Sequence, residues 1–183
     1  NVKWNEAIIE LHKPENIGKF KKNFYQRLAF DEIFSTFLVN SEIRKKIKKI
    51  KKKKKLLDKT KQNIIINKLN FNLTNDQKKT LEEINNDLSS TNKMFRLLQG
   101  DVGSGKTIVS LIAAYNSINS GFQVAVMAPT EILARQHYNF AQKLFPKKIN
   151  IELISGKSEY KTKKEILKKL ADNKIDIIFG THA

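Results

Sequence analysis

Apolar residues recur at helical spacing between residues 23 and 60. Phe30, Ile33, Phe34, Phe37, Leu38, Ile43, Ile47, Ile50 and Leu57 form one stripe, with charge on the remaining positions. That stripe predicts a helix of about 30 residues, roughly 45 Å long at 1.5 Å per residue. Ahead of it, Pro14 and Gly18 break any long element, so residues 1–22 read as a short terminal piece and a turn. From Leu73 onward the pattern becomes one of short apolar runs alternating with amphipathic stretches. "FRLL" (95–98), "QVAVMAP" (123–129), "INIELIS" (149–155) and "IDIIFG" (175–180) read as strands. Residues 106–119, 131–145 and 161–174 read as helices, the second with Ile132, Leu133, Tyr138, Phe140, Ala141 and Leu144 on its buried side. Alternation of this kind implies right-handed crossovers and an α/β fold: a four-strand parallel sheet covered on both faces. In such a sheet a ligand belongs at the carboxyl ends of the strands.

Three textures therefore divide the chain into 1–22, 23–70 and 71–183. With 183 residues and 40% hydrophobic content, one substantial core with a smaller appendage is expected. No run of about 18 apolar residues occurs and no charged-then-apolar leader opens the chain, so neither a spanning helix nor secretion is expected. The absence of cysteine excludes disulfides and thiolate metal sites and suits a cytosolic protein. A formal charge of +17 invites a nucleic-acid partner. Of the 35 basic residues, however, only Arg27, Arg44, Arg96 and Arg135 are arginine, and lysine, asparagine and isoleucine abound together, as an AT-rich genome would produce. Part of the charge is thus compositional. The densest part is "RKKIKKIKKKKK" (44–55), where ten of twelve residues are basic. It is either a solvated, fraying helix end or a phosphate-contacting arm, and like charges at i,i+4 make it a poor helix in isolation.

The chemistry concentrates at Gly100-Asp101-Val102-Gly103-Ser104-Gly105-Lys106-Thr107, which fits G-x4-G-K-[ST] between a strand-like run and a helix. Glycines let the backbone wrap so that successive N–H groups point at phosphate oxygens, while the next helix presents its positive end. Lys106 is placed to reach terminal phosphates, and the Thr107 hydroxyl to ligate Mg²⁺. Upstream, "FNLTNDQ" (71–77) sets Thr74 and Gln77 as a capping box; alternatively the Gln77 amide reads an adenine edge, with Phe71 nearby. Pro129, Thr130 and Glu131 stand where the second strand meets a helix, and suit either plain capping or a nucleic-acid phosphate. "SGKS" (155–158) and "GTHA" (180–183) end later strands on the same rim, offering Ser155, Gly156, Thr181 and His182. His182 has no second histidine at ligand spacing, so no metal is assigned to it.

"LTNDQ", "RLLQGDVGSGKT", "MAPTEILARQH" and "IIFGTHA" resemble the first motor domain of the RecG-type branched-DNA helicases of superfamily 2. "LHKPEN" and "QRLAFDEIF" resemble that family's junction between its DNA-wedge domain and its motor. The resemblance covers nearly the whole chain. It implies a RecA-like P-loop fold preceded by a long helical linker, and ATP-driven, Mg²⁺-dependent translocation on duplex DNA that remodels stalled forks and Holliday junctions. By matching positions it implies phosphate binding by residues 100–107, adenine sensing by Gln77, and DNA-backbone contacts near Thr130, Ser155 and Thr181. The family usually has Thr where Ser155 stands, and its lysine run is less dense than 44–55.

Asn1 in place of Met, and an apolar run continuing up to Ala183, predict a piece of a longer chain. Such a piece would stop ahead of an acidic D-E-x-H-type strand end and of a second motor domain with its arginine finger. It is therefore expected to grip nucleotide without hydrolysing it. Two rival readings accompany this one: a double-strand translocase of the transcription-repair coupling type, and a non-catalytic basic DNA-binding protein with a vestigial nucleotide loop.

Overall fold

The computed structural model describes residues 2–13, 15, 22–156 and 160–182, so Pro14, Gly18, Lys157, Ser158 and Ala183 lie outside the described residues. The chain divides into two compact units, 1–50 and 51–183.

In the first unit, α1 (Trp4–His12) packs on α2 (Lys22–Lys49), with Ala7 buried between helical turns. The expected long helix is present at close to the expected length, 28 residues, and ends at Lys49 inside the basic run. Two causes act together. Consecutive lysines repel on a helix surface, and from Lys52 onward the backbone amides find other acceptors: Lys52 N donates to Thr91 O (2.8 Å) and Lys55 N to Leu88 O (3.2 Å). The apolar stripe on α2 remains exposed at Phe30, Ile33, Phe34, Phe37 and Leu38, with Phe30 and Phe34 stacked at 5.7 Å.

The second unit begins with an extended segment, 51–57, that leads into α3 (Lys59–Ile66), whose first amides are capped by Asp58. α4 (Asn75–Ser89) opens on the Thr74–Gln77 capping box, with both reciprocal bonds made. α5 (Lys106–Asn119) follows the glycine loop. Then come β1 (Val124–Met127), α6 (Glu131–Leu144), β2 (Ile151–Ile154), α7 (Tyr160–Ala171) and β3 (Ile177–Gly180). All pairing is parallel in the order β1-β3-β2, with Met127, Gly180 and Ile154 in register at the carboxyl ends.

Strand alternation explains the two-sided burial of β3. Ile177 and Phe179 face the main core with Tyr115, Ala141, Leu144 and Phe145, whereas Ile178 turns to the other face with Ile166 of α7. Both faces are covered, as a parallel sheet requires.

The sheet differs from expectation in one strand. "FRLL" (95–98) is not a strand: Phe95 is 63% and Leu97 80% exposed, and none of the three strands pairs with it. A strand is defined by its ladder, and apolar alternation without a neighbouring edge leaves extended chain. The sheet described is therefore three-stranded. The buried side of α6 also differs. Ala134, Tyr138, Ala141 and Phe145 recur at four- and three-residue steps and face the core, which turns Ile132 (72% exposed) and Leu133 outward.

Candidate nucleotide and nucleic-acid site

The glycine loop is built by backbone conformation. Gly103 and Gly105 adopt left-handed φ angles of +83° and +81°, where a side chain is strained. At Gly105 a Cβ would come within 2.4 Å of the Gln77 amide nitrogen. This close approach is the loop's second wall: Gln77 Nε2 donates to Ser104 O at 2.9 Å while Gln77 Oε1 accepts from Thr74 N at 2.9 Å. One side chain thus closes the capping box of α4 and ties α4 to the loop. The capping role expected for Gln77 is present, and its amide is committed to protein partners on both sides.

Gly105 precedes α5 without a side-chain cap, so the leading N–H groups of that helix and its positive end face the loop. Lys106 folds back into the concavity. Its ammonium donates to Gly100 O (2.7 Å) and Asp101 O (2.5 Å) and lies 3.4 Å from Ser104 Oγ. A polyphosphate entering here would exchange those carbonyl acceptors for phosphate oxygens without moving the charge far. Val102 stands at the loop tip, fully exposed. Phe71 is exposed ahead of α4, two residues before the buried Leu73.

Thr107 lines a cavity of about 240 Å³ shared with Lys106, Ser110, Leu111, Val126, Met127 and His137. The start of α5 and the carboxyl end of β1 therefore border one hollow. Among the described residues no group of three or more histidine, aspartate and glutamate side chains is arranged to hold a metal ion.

The rim candidates occupy the three strand ends. Pro129 and Thr130 follow β1, Ser155 and Gly156 follow β2, and Thr181 and His182 follow β3; parallel register brings these ends to one edge, with Ala128 N donating to Gly180 O at 2.8 Å. Thr130 caps α6, its hydroxyl accepting from Leu133 N at 3.3 Å, and Glu131 opens that helix half-buried. Ser155 is buried, whereas Pro129, Gly156 and His182 are exposed. Thr181 is half-buried, and its hydroxyl oxygen has no partner among the described residues.

Two groups of residues escaped the sequence reading. Gln62, Asn85 and Asn116 join α3, α4 and α5: Asn85 Nδ2 and Asn116 Nδ2 donate to Gln62 Oε1 (2.8 and 2.7 Å), and Asn116 Nδ2 lies 2.9 Å from Asn85 Oδ1. Asn116 is 3% exposed, and its signal was a polar residue on the apolar face of α5. The second group lies at the far ends of α4 and α5. Lys52 Nζ donates to the carbonyls of Asp87 (3.0 Å) and Leu88 (2.6 Å), and Lys55 Nζ sits 3.9 Å above the Phe122 ring. Ser120 Oγ donates to Leu56 O at 2.9 Å. Burial pushes the Lys52 ammonium below its ordinary pKa, with Asp87 opposing; burial and then neighbouring Lys52 push Lys55 the same way. Arg96 is held above its ordinary value chiefly by its hydrogen bond to Asp87, with Glu83 adding to it. The lysine run is thus partly structural, a third role beside the two that its composition suggested.

Residues 74–183 match the family model for the DEAD/DEAH box helicase. The chain is 41% identical to the ATP-dependent DNA helicase RecG of Aquifex aeolicus, over 97% of this chain and 23% of that protein. It is 40% identical to that of Borreliella burgdorferi, over 98% of this chain and 26% of that protein. A solved structure of RecG bound to a three-way DNA junction superposes with a TM-score of 0.76 at 40% identity, over 86% of this chain and 22% of that one. The parallel sheet and glycine loop are thus part of a RecA-like P-loop fold, and the chain spans about a quarter of the length of the curated relatives it matches.

Proposed function

This chain belongs to the DEAD/DEAH box helicase family, and from that premise we propose that it forms the nucleotide grip of an ATP-dependent DNA helicase of the RecG type. The substrate of the whole motor is branched DNA, such as stalled forks and Holliday junctions, in recombination and repair, and its setting is the bacterial cytoplasm. One observation carries this reading: the Lys106 ammonium folds back into a glycine-turned loop, onto the carbonyls of Gly100 and Asp101, at the uncapped start of α5. That arrangement fits a polyphosphate and has no use in a simple turn.

In this reading residues 100–107 hold the phosphates, Lys106 meets the terminal ones, and Gln77 and Phe71 lie toward the base. Thr107 would offer its hydroxyl to Mg²⁺, which would supply charge neutralisation at the phosphates. Pro129, Thr130, Glu131, Ser155, Gly156, Thr181 and His182 form a rim for the DNA backbone, where contacts position the protein without reading sequence. Residues 71–183 are the first part of a motor domain, 23–70 a basic linker, and 1–22 the end of a wedge domain. A vestigial loop would serve DNA binding alone, and the decisive experiment separates the two. In the full-length protein, Lys106→Ala abolishes ATP hydrolysis and junction unwinding while leaving junction binding. Retention of most of the turnover by that variant overturns the assignment.

A further inference from the structure

The basic run has two faces once it leaves α2. Residues 51–55 are extended, with Lys51 pairing with Asn92 in an antiparallel bridge. Lys52 and Lys55 turn inward, onto the carbonyls of α4 and the ring of Phe122. Lys53 and Lys54 are exposed and make no ion pair among the described residues. Lys51 is exposed too, spending one N–H on Asn92 Oδ1 at 3.1 Å across the bridge. The nearby carboxylates are already committed. Asp87 and Glu83 both pair with Arg96 (2.8 and 2.7 Å), and Asp58 caps α3. The backbone that carries the outer lysines is therefore held in place, and no carboxylate among the described residues pairs with them.

We propose that Lys51, Lys53 and Lys54 form a contact for the phosphate backbone of duplex DNA, distinct from the strand-end rim, and that Lys52 and Lys55 hold it in shape. This rests on the helicase reading above. The row offers point charges on an extended backbone, with no aromatic side chain among residues 51–55 to stack on a base, so it recognises phosphate and not sequence. Anchoring from the inner face removes much of the ordering cost that a flexible lysine tail would incur on binding. An anionic membrane surface shares the charge, but the segment is no helix and presents no apolar face to insert.

The test uses the full-length protein and the double variant Lys53→Gln/Lys54→Gln, both positions being exposed, with an unchanged melting temperature as the check on folding. Binding to a plain duplex and to a three-way junction is measured from low to moderate salt. The plot of log affinity against log salt becomes shallower by about 0.9 for each of the two lost contacts, roughly 1.8 in all. A second variant, Lys52→Met/Lys55→Met, keeps the outer charges but loosens the strand, and weakens binding at every salt concentration with less change of slope. An unchanged slope in the first variant overturns the proposal, and so does loss of binding to phosphatidylserine vesicles with DNA binding intact. Neither outcome touches the helicase reading, which falls only if Lys106→Ala keeps its turnover.

Discussion

Helices α4 and α5 leave the glycine loop together and end together at the extended segment 51–57, yet their two ends are built on opposite principles. The near end presents free donors at the uncapped start of α5, with one lysine folded among the loop carbonyls. The far end presents surplus acceptors, the last carbonyls of α4, and lysine satisfies them from outside. Lys106 and Lys52 each donate to two main-chain carbonyls, one at a helix start and the other at a helix end. What differs is the backbone around each. In the proposed reading the lysine at the glycine-turned helix start becomes an anion ligand; at the C-terminus of α4 lysine is a cap. Between the two ends the amides of half-buried Gln62 and Asn85 and buried Asn116 hold the helices together with polar contacts.

Removing the same ammonium from each end tests this contrast most strongly. In the full-length protein, Lys106→Ala should lower ATP turnover by about 10³-fold, the scale on which charge stabilisation operates in phosphoryl transfer. Lys52→Ala should leave turnover within a few-fold. Comparable losses from both would mean that the far end is part of the catalytic machinery and that the contrast is false.

The next effect belongs to the middle of the helices. Asn116→Ala removes a buried amide and leaves the half-buried Asn85 carbonyl without its donor, and should cost about 1 kcal/mol of stability. Denaturant unfolding reads that loss, while nucleotide affinity in the folded protein stays put. A comparable loss of affinity would show that the amide cluster transmits to the loop as well as supporting the helices. At the near end, Gly105→Ala forces a side chain into a left-handed conformation, at about 1–2 kcal/mol, and pushes Gln77 off Ser104. Nucleotide affinity should fall roughly tenfold, since about 1.4 kcal/mol corresponds to one decade. Calorimetric titration with ATP would measure it, and an unaltered affinity would mean that the Gln77 wall is dispensable.

The same contrast explains what could be read from residues alone. The glycine loop was legible because its conformation demands particular residues at fixed positions: Gly103 and Gly105 have φ angles that other residues resist. Helices α2, α5, α6 and α7 and three of the strands were legible because periodicity records which side is buried, as in α5 with Ile108, Leu111, Ile112 and Tyr115, whereas the short α1 and α3 were not read as helices. "FRLL" misled because apolar alternation records a preference, whereas a strand exists only where another edge meets it. Ile132 and Leu133 misled for a related reason, since small Ala134 and Ala141 occupy the tight face of α6. The lysine run was opaque because its partners are main-chain carbonyls some 35 residues away, and carbonyls leave no mark in a sequence.

The smallest expected effect probes the far end through its protons. Burial lowers the Lys55 pKa in the folded protein, and Lys52 beside it adds to the effect. Below that depressed value both folded and unfolded chains carry the proton, and the fold bears the full penalty of burying charge. As pH rises toward the ordinary lysine value the folded chain releases its proton first. The unfolded state then holds more protons, so stability rises with pH across that window. Phe122 pulls the other way, because a ring face 3.9 Å away favours the ammonium. Unfolding of the parent and of Lys55→Met, measured by denaturant from neutral pH to just below the ordinary lysine pKa, isolates the balance, since other titrations cancel in the difference. The parent should gain stability relative to the variant as pH rises, by less than any change above. The opposite slope would mean that the ring outweighs burial, making Lys55 a charged anchor in the folded protein throughout.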